Sequence, residues 1–153
     1  MLCGGTMLWL DAVTENYVFP EEKIVDKNGA AVFPKLNQKG KPRWPCLKLG
    51  LQWPRAMLYD RINQRAVQQF EGGLIEETKA LLNQYGAPKA EDRQAITLSA
   101  FTSFGYKEIK AYLEGALSYD EALALNQQRN RNYAKRQLTW WRGREDVVWV
   151  NLS

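Results

Sequence analysis

The chain contains no histidine among its 153 residues. That absence excludes a Ser-His-Asp triad, histidine metal ligation and an imidazole general base. Any chemistry would have to come from carboxylates, lysine, arginine, hydroxyls or a bound cation. Cysteine is nearly absent as well. Cys3 and Cys46 are the two present, and neither belongs to a Cys-x-x-Cys pair. This leaves out a zinc site or disulfide framework and fits a reduced, cytoplasmic protein. No apolar run approaches the roughly 20 residues that a membrane helix needs. The opening Met1-Leu-Cys-Gly-Gly-Thr6 lacks the charged and apolar regions of a secretory signal. It reads as the tail of a buried strand entering a tight turn, an opening that predicts a truncated chain. One further shortage is local: residues 128–144 hold no acid.

What fills that stretch is six basic residues, Arg129, Arg131, Lys135, Arg136, Arg142 and Arg144, with Tyr133, Trp140 and Trp141 between them. Cations interleaved with flat rings suit a polyanion whose bases can stack, which describes RNA. The bulk numbers are ordinary by comparison. A 45% apolar share supports one core at this length, and a net charge of +4 permits a polyanionic partner without requiring one. On a helix, Arg131, Lys135, Leu138 and Arg142 share a face, and Arg129, Arg136 and Gln137 point elsewhere. The plainer alternative is a solvated helix end whose charge complements its own dipole. Against it stand the lack of acids for i,i+4 pairing and a Trp pair beside the charge. The tryptophans themselves fit core and helix-end packing better than base stacking.

Along the chain, residues 1–3 read as a strand end, Gly4-Gly5-Thr6 as a turn and residues 7–13 as a helix start, where backbone N–H groups favour an anion. A tight turn with no ligand is the bland reading of the same glycines. Residues 17–45, rich in Lys, Pro, Gly and Asn, read as an irregular excursion. Residues 46–51 alternate as a strand. Trp53-Pro54 opens a helix with Leu58, Ile62, Ala66 and Phe70 as its buried face, which Gly72-Gly73 stops. A second helix carries Leu74, Ile75, Thr78, Leu81 and Leu82 and ends near Gly86. Residues 87–94 read as a polar connection, 102–105 as a turn and 106–113 as a helix. Ser118-Tyr-Asp-Glu121 is a capping box that starts a long helix to about Arg142, and residues 146–152 form a terminal strand. The order predicts an α/β fold with a helix-rich C-terminal half.

Six segments in order resemble one family, the bacterial tRNA dimethylallyltransferases. They are Leu2-Cys-Gly-Gly-Thr-Met-Leu-Trp-Leu10, Leu47-Lys-Leu-Gly-Leu51, Pro54-Arg-Ala-Met-Leu-Tyr-Asp-Arg-Ile-Asn-Gln-Arg65, Gly73-Leu-Ile-Glu-Glu77, Gly105-Tyr-Lys-Glu108 with Tyr112-Leu-Glu-Gly115, and Arg131-Asn-Tyr-Ala-Lys-Arg-Gln-Leu-Thr-Trp140. The resemblance covers residues 2–17 and 46–152. It implies transfer of a dimethylallyl group from dimethylallyl diphosphate to N6 of the adenosine beside a tRNA anticodon. It also implies a P-loop NTPase-like core, of which this chain would hold part, and Mg²⁺ assisting diphosphate departure. On that resemblance Arg55 approaches the diphosphate, Gly4 and Gly5 form the turn at the active site, and Thr6 contacts the target nucleotide. Two further segments imply tRNA contacts: Thr102, Ser103, Phe104, Gly105, Tyr106 and Lys107, and then Arg131 with Lys135, Arg136, Gln137, Leu138, Thr139, Trp140, Trp141 and Arg142.

Two pieces of the family pattern are missing. No Gly-x-x-x-x-Gly-Lys-[Ser/Thr] phosphate loop occurs. The nearest stretch, Gly40-Lys41-Pro42, has Lys35 where the first glycine belongs and a proline where the hydroxyl belongs. The catalytic Asp is expected upstream, with no acid here inheriting its role and no Mg²⁺ ligand in the chain. Residues 18–45 stand where the family has a helical insertion. The expected organisation is therefore a core remnant over 1–17, a linker over 18–45 and the transferase's C-terminal region over 46–153. Two functional classes fit: an incomplete enzyme, completed by a missing N-terminal half or by oligomerisation, and a non-catalytic tRNA-binding module. A decayed frame that folds poorly is the third alternative.

Overall fold

In the computed structural model, residues 1–17, 40–42, 44–86 and 101–153 are described. Apolar residues at helical spacing produce α1 (Met7–Thr14), α2 (Arg55–Gln69), α3 (Ile75–Tyr85), α4 (Tyr106–Leu113) and α5 (Tyr119–Arg142). Alternating stretches produce β1 (Lys48–Gln52) and β2 (Val147–Asn151). The expected helix-rich α/β composition is thus present, with a small parallel sheet. The chain divides into two compact units, Met1–Leu51 with Gln137–Val150, and Gln52–Arg136 with Asn151–Ser153. Helix α5 contributes to both.

The second unit holds the apolar core. Phe70, Ile109 and Ala122 are buried together, with Leu74, Ile75, Tyr112, Leu117, Tyr119 and Leu123 packed around them. Tyr119 stands at the centre of the aromatic part. Its ring meets Phe70 at 5.9 Å and Tyr112 at 6.0 Å, both nearly perpendicular, the arrangement ring quadrupoles favour. Along α2 and the π-helical turn Phe70–Leu74 that follows it, the expected stripe is graded: Ala66 and Phe70 are buried, and Leu58 and Ile62 half-buried. The backbone leaves helical geometry at Gly72 and Gly73 inside that turn, before α3 begins. At the start of α5 the capping box is complete. The Ser118 N–H donates to Glu121 Oε2 at 2.8 Å, and the Glu121 N–H donates to Ser118 Oγ at 3.3 Å.

Most of the sheet belongs to the first unit, with its last residues assigned to the second. β1 and β2 run parallel, and at their carboxyl ends the Leu152 N–H donates to the Gln52 carbonyl at 2.8 Å. Lys48, Gly50, Val147 and Trp149 are half-buried, whereas Leu49, Leu51, Val148 and Val150 are exposed. Period-2 alternation puts each set on its own face.

One expectation fails. Residues 1–3 are not a strand, and Met1 and Leu2 lie exposed. A strand needs a neighbour to take its ladder bonds, and among the described residues the sheet has two strands, β1 and β2. The readings for residues 18–39, within the predicted 18–45 linker, and for residues 87–94 lie outside the described residues.

Because Ile109 is fully buried at the centre of the core, Ile109→Ala should lower unfolding free energy by about 2–5 kcal/mol. Urea denaturation should show a lower midpoint with an unchanged slope. Leu113→Ala, at an exposed position, should shift the midpoint little.

Candidate nucleic-acid interface

The glycine turn and the end of the basic helix meet inside the first unit. Thr6 precedes α1 with extended backbone, its side chain makes no capping bond, and it is exposed. The Gln137 side-chain amide donates to the Gly5 carbonyl at 2.8 Å. A Cβ on Gly5 would displace that amide from its present position. Gly4 faces open space. The sequence points to Gly5, Thr6 and Gln137 separately; the fold puts turn and helix in contact.

A second tie lies one helical turn further along α1. Asp11 is fully buried. Its Oδ2 accepts the Trp140 indole N–H at 2.9 Å and pairs with the Arg144 guanidinium. That guanidinium also lies 5.7 Å and 5.4 Å from the ring centres of Trp140 and Trp141. The tryptophans therefore serve the helix end; the expected core packing is not seen for Trp140, which is exposed. Asp11 Oδ1 is buried with no hydrogen-bond partner among the described residues. Nearby, Lys48 Nζ donates to Glu15 Oε1 and Asp146 Oδ2, each at 2.6 Å. Burial disfavours the Lys48 charge, but the bonds to Asp146 and Glu15 outweigh it and raise its pKa. The Lys48 bond holds the Asp146 carboxyl below the usual aspartate range.

In the second unit the segment Thr102–Lys107 is tied to α5 by Glu108, also buried. Glu108 Oε2 accepts the Gly105 N–H at 2.8 Å, and Oε1 pairs with Arg129. Gly105 has φ 93°, a left-handed turn that suits glycine. The residues before it form a bend that carries Phe104, 40% exposed, edge-on to Tyr133 at 5.5 Å. The Arg136 guanidinium lies 5.5 Å from the Tyr133 ring. Tyr106 donates its hydroxyl to Glu77 at 2.7 Å, which, with burial, raises the phenol pKa. Thr102, Ser103, Lys107, Lys135, Arg136, Thr139 and Arg142 are exposed, and Leu138 is half-buried.

Arg131 is more engaged than its neighbours on the shared face. It is half-buried, and its Nη1 donates to Asn63 Oδ1 at 2.6 Å, while Gln127 donates to the Asn63 carbonyl at 3.3 Å. It ties α5 to α2. Arg55 is exposed in the first turn of α2, with its guanidinium 5.1 Å from the Tyr59 ring. Arg55 and the Gly4–Gly5–Thr6 turn belong to different compact units. Asp11, Glu108 and Asn63 are site-forming residues that sequence reasoning misses. Asp11 has a signal, an acid inside the otherwise apolar Met7-Leu-Trp-Leu-Asp-Ala-Val13. Glu108 has another, its position three residues after a glycine cap.

Among the described residues no cluster of three acids or cysteines could hold a metal ion. Asp11, Glu15, Glu108 and Asp146 are each held by a cation. No helix among the described residues is long and apolar enough to cross a membrane.

A helix-rich α/β scaffold that fixes a glycine turn to a basic, aromatic helix end defines the class of molecule. Comparison with known proteins makes it specific. The IPP transferase family model matches residues 23–144, and the chain belongs to that family. The tRNA dimethylallyltransferase of Chloroherpeton thalassium is 42% identical over 113 residues, covering 74% of this chain and 34% of the relative. That of Ligilactobacillus salivarius is 38% identical over 130 residues, covering 85% and 39%. The full-length tRNA isopentenylpyrophosphate transferase from Bacillus halodurans aligns with a TM-score of 0.61 at 36% identity, over 76% of this chain and 35% of that one. The chain thus spans somewhat over a third of the length of the curated relatives it matches.

The Lys48 cluster sets a pH dependence. Asp146 has a lowered folded pKa, so its contribution is present above the ordinary aspartate value of 3.8 and is lost as pH falls through the folded value. Lys48 has a raised one, so its contribution is present below 10.5 and is lost as pH rises through the folded value. Asp146→Asn should melt below the wild type at neutral pH. The gap in thermal midpoint should close in strong acid, and a gap constant with pH would contradict the assignment.

Proposed function

We propose that the chain is part of a tRNA dimethylallyltransferase, with tRNA and dimethylallyl diphosphate as its partners. The observation that carries this reading is the Gly5–Gln137 tie, which joins the turn that the family pattern puts at the active site to one of its tRNA-contact segments. On this reading Thr6 contacts the target nucleotide beside the turn. The segment Thr102 to Lys107 and the exposed residues Lys135, Arg136, Thr139 and Arg142 meet the tRNA backbone. Arg55 offers its guanidinium to the departing diphosphate, where negative charge builds on oxygen. Arg131 contributes by holding α2, which bears Arg55, to α5. Mg²⁺ would assist the same departure, with ligands from outside the described residues.

The same reading makes this chain an incomplete enzyme and its sheet part of a larger P-loop-like core. The 153 residues carry no phosphate loop. Parallel sheets are ordinarily covered on both faces, yet Leu49, Leu51, Val148 and Val150 are exposed here. A complementing polypeptide or further copies of the chain would supply the cover. The missing loop also favours the second reading, a tRNA-binding module without catalysis.

Two measurements separate these readings. The purified chain, incubated with unmodified tRNA, Mg²⁺ and labelled dimethylallyl diphosphate, should transfer no label. Label appearing in tRNA would show that these residues suffice for catalysis. For binding, the chain should shift tRNA at low salt. Arg136→Glu with Arg142→Glu should weaken that binding at least tenfold and flatten its salt dependence, by about 0.7–0.9 in log–log slope for each phosphate no longer neutralised. Unchanged affinity in the double variant would remove the tRNA-facing role from this helix.

A further inference from the structure

We propose that Phe104, with Tyr133 and Arg136, forms a stacking platform for an unpaired RNA base. The inference rests on the tRNA-binding reading above and adds a subsite to it. A lone exposed phenylalanine needs no explanation; this one is held in place by an ionic chain. Arg129 pairs with buried Glu108, and Glu108 takes the Gly105 N–H. Gly105, at φ 93°, ends the bend that carries Phe104. The bend is thus fixed from beneath by a buried carboxylate while the ring above it stays 40% exposed.

Its neighbours match a nucleobase. The tilted contact with Tyr133, at 5.5 Å and 60°, uses an edge of one ring and leaves aromatic surface open. On Tyr133 lies the guanidinium of Arg136, a planar cation that can stack on a base or pair with the phosphate next to it. An aromatic face beside a guanidinium is how single-stranded RNA is held without reading sequence. A merely structural Phe104 would need apolar volume at this position. A platform needs a flat π face, and that difference can be tested without disturbing the fold.

The test uses the full chain and an RNA hairpin with 2-aminopurine in its single-stranded loop. Phe104→Leu keeps apolar packing against Tyr133 and loses the ring; Phe104→Trp keeps a ring. Phe104→Leu should weaken hairpin binding by about 5- to 150-fold, the value of one base stack, with an unchanged salt slope. Phe104→Trp should bind close to the wild type. Arg136→Gln should instead lower the slope by about 0.7. Binding should quench 2-aminopurine fluorescence in the wild type and in Phe104→Trp but not in Phe104→Leu. If Phe104→Leu binds and quenches like the wild type, the platform is wrong and RNA binding stands. If the wild type binds no hairpin at low salt, the platform falls together with the tRNA reading.

Discussion

A carboxylate taken out of water must be matched, and two such carboxylates govern the basic helix. Removing a charge from water costs several kcal/mol unless hydrogen bonds and an opposite charge replace the lost hydration. Asp11 in the first unit and Glu108 in the second are both buried. Each is paired with an arginine from the basic stretch, Arg144 and Arg129 respectively. Each also takes one further N–H, from the Trp140 indole or the Gly105 backbone. The two acids fix what the helix presents. One secures α1 and the turn before it, and the other secures the bend bearing Phe104.

This pairing alters how the charge of residues 128–144 should be counted. Of the six cations there, Arg129 and Arg144 are bound to buried acids, and Arg131 is bound to Asn63. The exposed ones are Lys135, Arg136 and Arg142. The exposed cations therefore form a narrower patch than the composition indicates. The engaged arginines act on it through position, because they set where the exposed side chains and rings stand.

Local features were legible in the sequence, and long-range ones were not. The Ser118-to-Glu121 capping box, the bounds of α4 and the stops at Gly73 and Gly86 depend on residues within one turn of each other, and they fall as expected. Residues 1–3 failed because a strand is a relation between segments, and a β-like stretch without a neighbour stays irregular. The engagement of Arg131 was hidden for a related reason. Helical periodicity places it on the same face as Lys135, but its partner Asn63 lies 68 residues away and cannot be inferred from spacing. The lack of nearby acids in residues 128–144 was correct and misleading at once, because the acids arrive from α1 and α4. The ordered motifs of the family resemblance did identify the family, which periodicity could not.

The two units are held by different physics. The second has a contiguous apolar core around Ile109. The first has a two-stranded sheet with exposed leucines and valines, and such a sheet is marginal by itself. What the first unit has instead are the ties from Asp11, Lys48 and Gln137, which join segments up to 133 residues apart. Polar ties are directional, so they fix a turn more narrowly than apolar packing does. The ionic ones among them also depend on protonation state and are weakened by salt where water reaches them. The turn carrying Thr6 is accordingly specified by geometry more than by burial. Covering the apolar face of its sheet would add stability to this unit without altering the ties that aim the turn.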